Sequence, residues 1–127
     1  MPRYLAVVGT RNWSAFAPLS QITRRLDAVH AIHPDLVIVS GAGGDVGLCA
    51  ARWARANGVR CIEYLPEFER YGRAGGPRRN SFIVARCDAM LAFWNGGRGT
   101  QDSVTKAQAA SKRVTAVRPD GTSKRVG

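Results

Sequence analysis

Three glycine-rich turns hold the residue types best suited to chemistry in this chain. The most informative is Trp94-Asn95-Gly96-Gly97-Arg98-Gly99-Thr100, with three glycines inside four positions. Glycine lets a backbone turn tightly and approach a partner closely. The apolar run Met90 to Phe93 leads into the turn. Thr100 to Lys112 follows as an expected helix, with Thr100 as its N-cap. The first amides of such a helix lack intrahelical acceptors and carry the positive end of the dipole. Strand, glycine turn and helix start together form an anion cradle, whose natural occupant is a phosphate. A single turn of this kind is weak evidence, because a strand must reach a helix somehow. Related turns follow two other apolar runs: Gly9-Thr10-Arg11-Asn12-Trp13 after Tyr4 to Val8, and Ser40-Gly41-Ala42-Gly43-Gly44-Asp45-Val46-Gly47 after Leu36 to Val39.

The elements that must position these turns alternate in type. Leu19, Ile22, Leu26 and Val29 recur at helical spacing and predict a helix over 18–31. Leu36 to Val39 is continuous and mostly β-branched, the pattern of a strand covered on both faces. A helix over 46–56 stops at Asn57-Gly58, and a third strand spans 59–65. Pro66 to Pro77 is the longest stretch without periodicity, and such loops are often functional. It is the expected lid. A short helix over 78–86, the strand 90–93, the helix over 100–112 and a strand over 114–117 complete the series. Alternating strands and helices imply right-handed βαβ units. The expected fold is α/β: a single Rossmann-like three-layer domain over 1–127. Its mostly parallel five-stranded sheet has the order 3-2-1-4-5, and 118–127 form an extra edge strand or a tail. In that order the chain reverses direction beside the first strand, where ligands bind in open α/β sheets. All three turns fall on that edge.

Composition narrows the partners. The 127 residues include sixteen Arg and three Lys against nine acidic residues, a formal net charge of +10. That surplus favours anionic partners, nucleotides or nucleic acid. No apolar run is long enough to span a membrane, and the N-terminal run continues into a glycine turn rather than a cleavage pattern. Three widely spaced cysteines without a CxxC argue against a zinc site, and nothing calls for a metal or a cofactor. The cytoplasm is the expected compartment.

The strings GTRNW, VIVSGAGG, AARWA, ERYGRAGGPRRN and LAFWNGGRGT, in that order over about residues 4–117, resemble the YspA/YpsA-related branch of the SLOG superfamily. The resemblance implies a Rossmann-like binder of nucleotides or nucleotide-derived ligands. Relatives include the lonely-guy phosphoribohydrolases and the DNA-processing protein DprA. It places Gly9, Thr10, Arg11, Ser40, Gly41, Arg79, Asn80, Gly96, Gly97, Gly99 and Thr100 at the ligand. It also implies self-association as a homo-oligomer, although no apolar stripe in the sequence demands one. Trp13, Tyr71 and Trp94 are candidates for stacking a base or closing as a lid.

Two departures from the family pattern bear on function. The branch reads SGGARGVD after the second strand. Here the usual Arg falls on Gly44, the usual Asp falls on Gly47, and Asp45 stands where a glycine is expected, an apparent repulsion toward phosphate. The phosphoribohydrolases carry GGxGTxxE, and their Glu falls here on Ser103. Asp102 is one position early, about 100° away around a helix. Glycosidic cleavage needs a carboxylate beside the ribose, so the sequence leans against that activity. Three functions stay open: a nucleotide sensor or sequestering module, a nucleotide hydrolase, and a DprA-like binder of single-stranded nucleic acid.

Overall fold

Two apolar faces on one sheet dictate the architecture. The structure is a computed structural model describing residues 2–41 and 43–126; Met1, Ala42 and Gly127 fall outside it. The strands are β1 (Arg3–Gly9), β2 (Leu36–Ser40), β3 (Arg60–Glu63), β4 (Ala89–Phe93), β5 (Arg113–Val117) and β6 (Ser123–Arg125). The helices are α1 (Ser20–Ile32), α2 (Gly44–Ala56), the single turn α3 (Phe68–Tyr71), α4 (Gly75–Arg86) and α5 (Arg98–Ala109). Short 3-10 turns lie at Trp13–Ala15 and Gly72–Ala74.

The sheet order is β3-β2-β1-β4-β5-β6, the expected 3-2-1-4-5 with an added edge. β1 to β5 are parallel, and β6 folds back antiparallel on β5 with Thr115 opposite Arg125. Successive strand residues point to opposite faces. Leu5, Val7, Ile38, Leu91 and Phe93 therefore pack with Ile22, Leu26, Ala50 and Trp53 of α1 and α2. Ala6, Val39, Met90, Ala92 and Val114 pack with Ile83, Val84, Val104 and Ala107 of α4 and α5. All five residues of β2 are buried, as its unbroken apolar run requires.

Several boundaries differ from expectation for physical reasons. α5 begins at Arg98 with Gly97 as its N-cap, so Thr100 lies inside the first turn and is buried. Gly97 takes the extended conformation that starts a helix without any side-chain cap. The segment expected to be irregular holds α3 and a 3-10 turn, and α4 already starts at Gly75. Pro77 sits within that first turn, where its missing N–H is harmless.

Candidate functional site

The three glycine turns converge at the carboxyl ends of β1, β2 and β4. Register brings them together, with Gly9 opposite Phe93 and Val7 opposite Ser40. They surround a cavity of about 440 Å³. Gly9, Thr10 and Arg11 line it from the first turn, Ser40, Gly41, Gly43 and Gly47 from the second, and Gly97, Arg98, Gly99 and Thr100 from the third. Arg79, Asn80 and Ile83 of α4 form a further side. Every sequence-derived ligand residue is in that lining except Gly96. Its φ of +105° serves the turn itself.

Close packing explains two of the glycines. A Cβ on Gly9 would lie 2.4 Å from Val46 Cγ2 and 2.9 Å from the Phe93 carbonyl oxygen. A Cβ on Gly41 would lie 2.2 Å from Arg79 Nη1, so the absent side chain is what admits the guanidinium. That guanidinium is pinned at two points: Nη1 donates to the Gly41 carbonyl at 2.9 Å and Nε to Asn80 Oδ1 at 2.8 Å. Asn80 is buried and in turn donates to Asp102 Oδ2 at 3.0 Å, which also takes Lys106 Nζ at 2.8 Å. Burial, and secondly the neighbouring Arg11 charge, pulls the Arg79 guanidinium below its usual range.

Two helix starts face the cavity, through Gly43 and Gly47 of α2 and Gly97 to Thr100 of α5. Neither start has a side-chain cap. Not every amide is available, however. Thr10 N–H donates to the Phe93 carbonyl, and Asp45 N–H to the Arg11 carbonyl. Among the described lining residues there are three arginines and no carboxylate.

Asp45 is engaged by Ser14. Its Oδ2 accepts the backbone N–H of Ser14 at 2.9 Å and the hydroxyl at 2.6 Å, and it is absent from the cavity lining. The Gly44 position has φ +69°, and a Cβ there would meet the Arg11 Cα at 2.8 Å. No side chain can replace the family's arginine at that point without moving Arg11.

None of the three stacking candidates lines the cavity. Trp13 is fully buried, edge-on to Phe93 with centroids 5.7 Å apart, and its Nε1–H finds no acceptor among the described residues. Its 3-10 turn tucks it into the core. Trp94 donates Nε1–H to the Gly97 carbonyl and packs on the α4–α5 face. Tyr71 lies under the Arg78 guanidinium, 4.0 Å from its ring centre. Pro66 and Phe68 of the expected lid line the cavity from the start of α3, and so does Leu65 just beyond β3, which the sequence did not single out. One signal was present: the end of the third strand falls on the same edge.

A protein-family model matches residues 4–71, more than half of the chain, spanning the first two glycine turns. The chain belongs to the YspA, cpYpsA-related SLOG family. Arg79, Asn80 and the third turn lie beyond the matched span. Among solved structures it is similar to a molybdenum cofactor binding protein from the phototrophic bacterium Rippkaea orientalis, with 22% identity and a TM-score of 0.71 over 93% of this chain and 77% of that one. DprA from Streptococcus pneumoniae is 19% identical with a TM-score of 0.69, over 91% of this chain and 50% of that chain. This chain thus spans half of the pneumococcal protein. DprA from Helicobacter pylori, whose structure is described in terms of single-stranded DNA binding, is 19% identical with a TM-score of 0.71, over 91% of this chain and 65% of that one. At such identities the likeness is one of fold. No curated protein matches the chain.

Proposed function

We propose that the SLOG cavity binds a small phosphorylated nucleotide or nucleotide-derived ligand, of the AMP, NAD or ADP-ribose kind, in a cytoplasmic sensor or sequestering module. One observation carries this reading: two uncapped helix starts and three arginines meet in a cavity with no carboxylate among its described lining. Backbone amides and helix dipoles hold phosphate without needing a lysine. Arg79 comes preoriented by Gly41 and Asn80, so little side-chain entropy is lost when it engages an anion. An anion between Arg11 and Arg79 also offsets their mutual repulsion.

A thermal-shift series with AMP, NAD and ADP-ribose tests the proposal. Saturation at a hundred times the dissociation constant adds about 2.7 kcal/mol of stability. No shift with any of the three overturns it. Hydrolysis is disfavoured because Asp102, the nearest carboxylate in sequence to the family's glutamate, is held by Asn80 and Lys106. Product analysis on the same mixtures decides this point; turnover lost in Asp102→Asn would replace the binding reading. Binding to oligonucleotides that is steeply salt-dependent, without saturable mononucleotide binding, would favour the nucleic-acid reading instead.

A further inference from the structure

Two kinds of group line the cavity: backbone amides and guanidinium groups, and the apolar side chains of Leu65, Pro66, Phe68 and Ile83. Ile83 belongs to the core, but Leu65 is 67% exposed and Phe68 57% exposed. Two large apolar side chains therefore stand in solvent at the mouth of a cationic cavity.

Their position is built into the chain. Pro66 restricts the backbone between β3 and α3. Gly75, the first residue of α4, lets the Glu67–Phe68 backbone pass so close that a Cβ there would lie 3.0 Å from the Glu67 carbonyl carbon and 3.1 Å from the Phe68 nitrogen. Phe68 is thereby held at the rim rather than carried on a free loop. It is also the one aromatic side chain among the described lining residues, since Trp13, Tyr71 and Trp94 are engaged elsewhere.

We infer that Phe68, with Leu65 beside it, is the surface against which the ligand's aromatic base lies, making this pair the specificity determinant for nucleotides over bare phosphates and sugar phosphates. The inference rests on the nucleotide reading and adds to it which end of the ligand lies where. A phosphate at the α2 and α5 starts leaves the rest of a nucleotide to extend toward the rim. There a planar ring covers apolar surface and stacks on Phe68. Base stacking on an aromatic face tolerates any base, so the pair selects for a base without selecting its identity.

Calorimetric titration of the full chain tests this. The probe is whichever of AMP, NAD or ADP-ribose the wild type binds most tightly, with ribose 5-phosphate as the baseless control. The wild type should bind the nucleotide at least about tenfold more tightly than the control. Phe68→Ser should lose about tenfold for the nucleotide and less than about twofold for ribose 5-phosphate, while Phe68→Tyr keeps both affinities. Leu65→Ser, at a side chain that is still more exposed, should shift in the same direction and guards against a folding defect in the first variant. Equal wild-type affinity for nucleotide and control, or unchanged nucleotide affinity in both serine variants, overturns the inference and leaves the nucleotide reading standing. A wild type that binds no nucleotide overturns that reading and this inference with it.

Discussion

The two edges of the sheet invite opposite conclusions from size and from geometry. The amino edge holds the larger groove, about 610 Å³, bordered by Arg3, Lys112, Arg113 and Arg125, with Asp88 as the one carboxylate among its described lining residues. The carboxyl edge holds the smaller cavity, about 440 Å³, with three arginines. By volume the amino edge would rank first, and in net charge the two linings are equal. Yet helices end there, and helix ends expose carbonyls and the negative end of the dipole. Its cations answer those groups, as Lys112 Nζ does by donating to the Cys87 carbonyl at 2.7 Å. Asp88 is occupied too, accepting the Tyr4 N–H at 2.9 Å. No glycine is among the described residues that line the groove. At the carboxyl edge helices begin, glycines bring backbone to the surface, and donors converge. The anion-site proposal for the carboxyl edge therefore rests on helix starts and close backbone approach rather than on positive charge.

The sharpest way to break this contrast is to fill the close approaches that only the carboxyl edge requires. Gly9→Ala forces a methyl group against Val46 and the Phe93 carbonyl. It should cost about 3 kcal/mol, as overpacking does, and lower the urea midpoint accordingly. Gly58→Ala, at the end of α2 on the amino edge, meets no atom within 4 Å and pays only for its φ of +64°. About 1 kcal/mol is expected there. Equal losses at the two positions would show that the first turn is no more tightly built than an ordinary helix stop.

Binding separates the edges next. Arg79→Ala should weaken the tightest-binding nucleotide about a hundredfold and Arg79→Lys about tenfold, because lysine keeps the charge but not the planar fork. Gly41→Ala should approach the alanine result with little change in stability, since its methyl group displaces only the far end of the Arg79 side chain. Arg113→Ala and Arg125→Ala on the amino edge should leave affinity within about twofold. A comparable loss from Arg113→Ala would mean that overall charge, and not the cavity, captures the ligand.

Much of the carboxyl edge could be read in the sequence because glycine turns after apolar runs report backbone geometry directly. Strand order followed from the alternation of elements, and with it the placement of the three turns. What stayed hidden depends on contacts across long sequence separations. Trp13 reads as a loop aromatic until its turn is seen to fold under Phe93, eighty residues away. Thr100 reads as a cap because threonine favours that position, whereas Gly97 starts the helix by backbone conformation alone. Phe68 lies in a stretch with no periodicity and Leu65 at the end of the expected third strand, and their exposure at the rim depends on Gly75 and on where β3 ends. Asp45 reads as a charge facing phosphate because nothing in its spacing reveals Ser14.

That last pair gives the smallest expected effect and tests whether the first two turns are tied together. The two hydrogen bonds from Ser14, hydroxyl first and backbone N–H second, hold the Asp45 carboxyl below its ordinary value of 3.8, with burial opposing weakly. A carboxylate whose pKa is depressed by folding stabilises the native state above its unfolded value, and that contribution is lost as the pH falls through the folded value. Ser14→Ala removes the larger cause and keeps the backbone bond. Between pH 6 and 8 it should therefore show a slightly lower urea midpoint than the wild type, with a constant gap. The gap should begin to narrow as the pH falls below about 4 and close once the pH is below the lowered folded value, where Asp45 is protonated in both proteins. Asp120, whose carboxyl is lowered in the same way by the hydroxyl and N–H of Thr122, lies in the turn before β6 and is unaffected by the substitution. It supplies the background acid sensitivity common to both proteins. A gap that persists unchanged to pH 2 would mean that Ser14 stabilises the turn by packing alone, and that Asp45 does not tether the first glycine turn to the second.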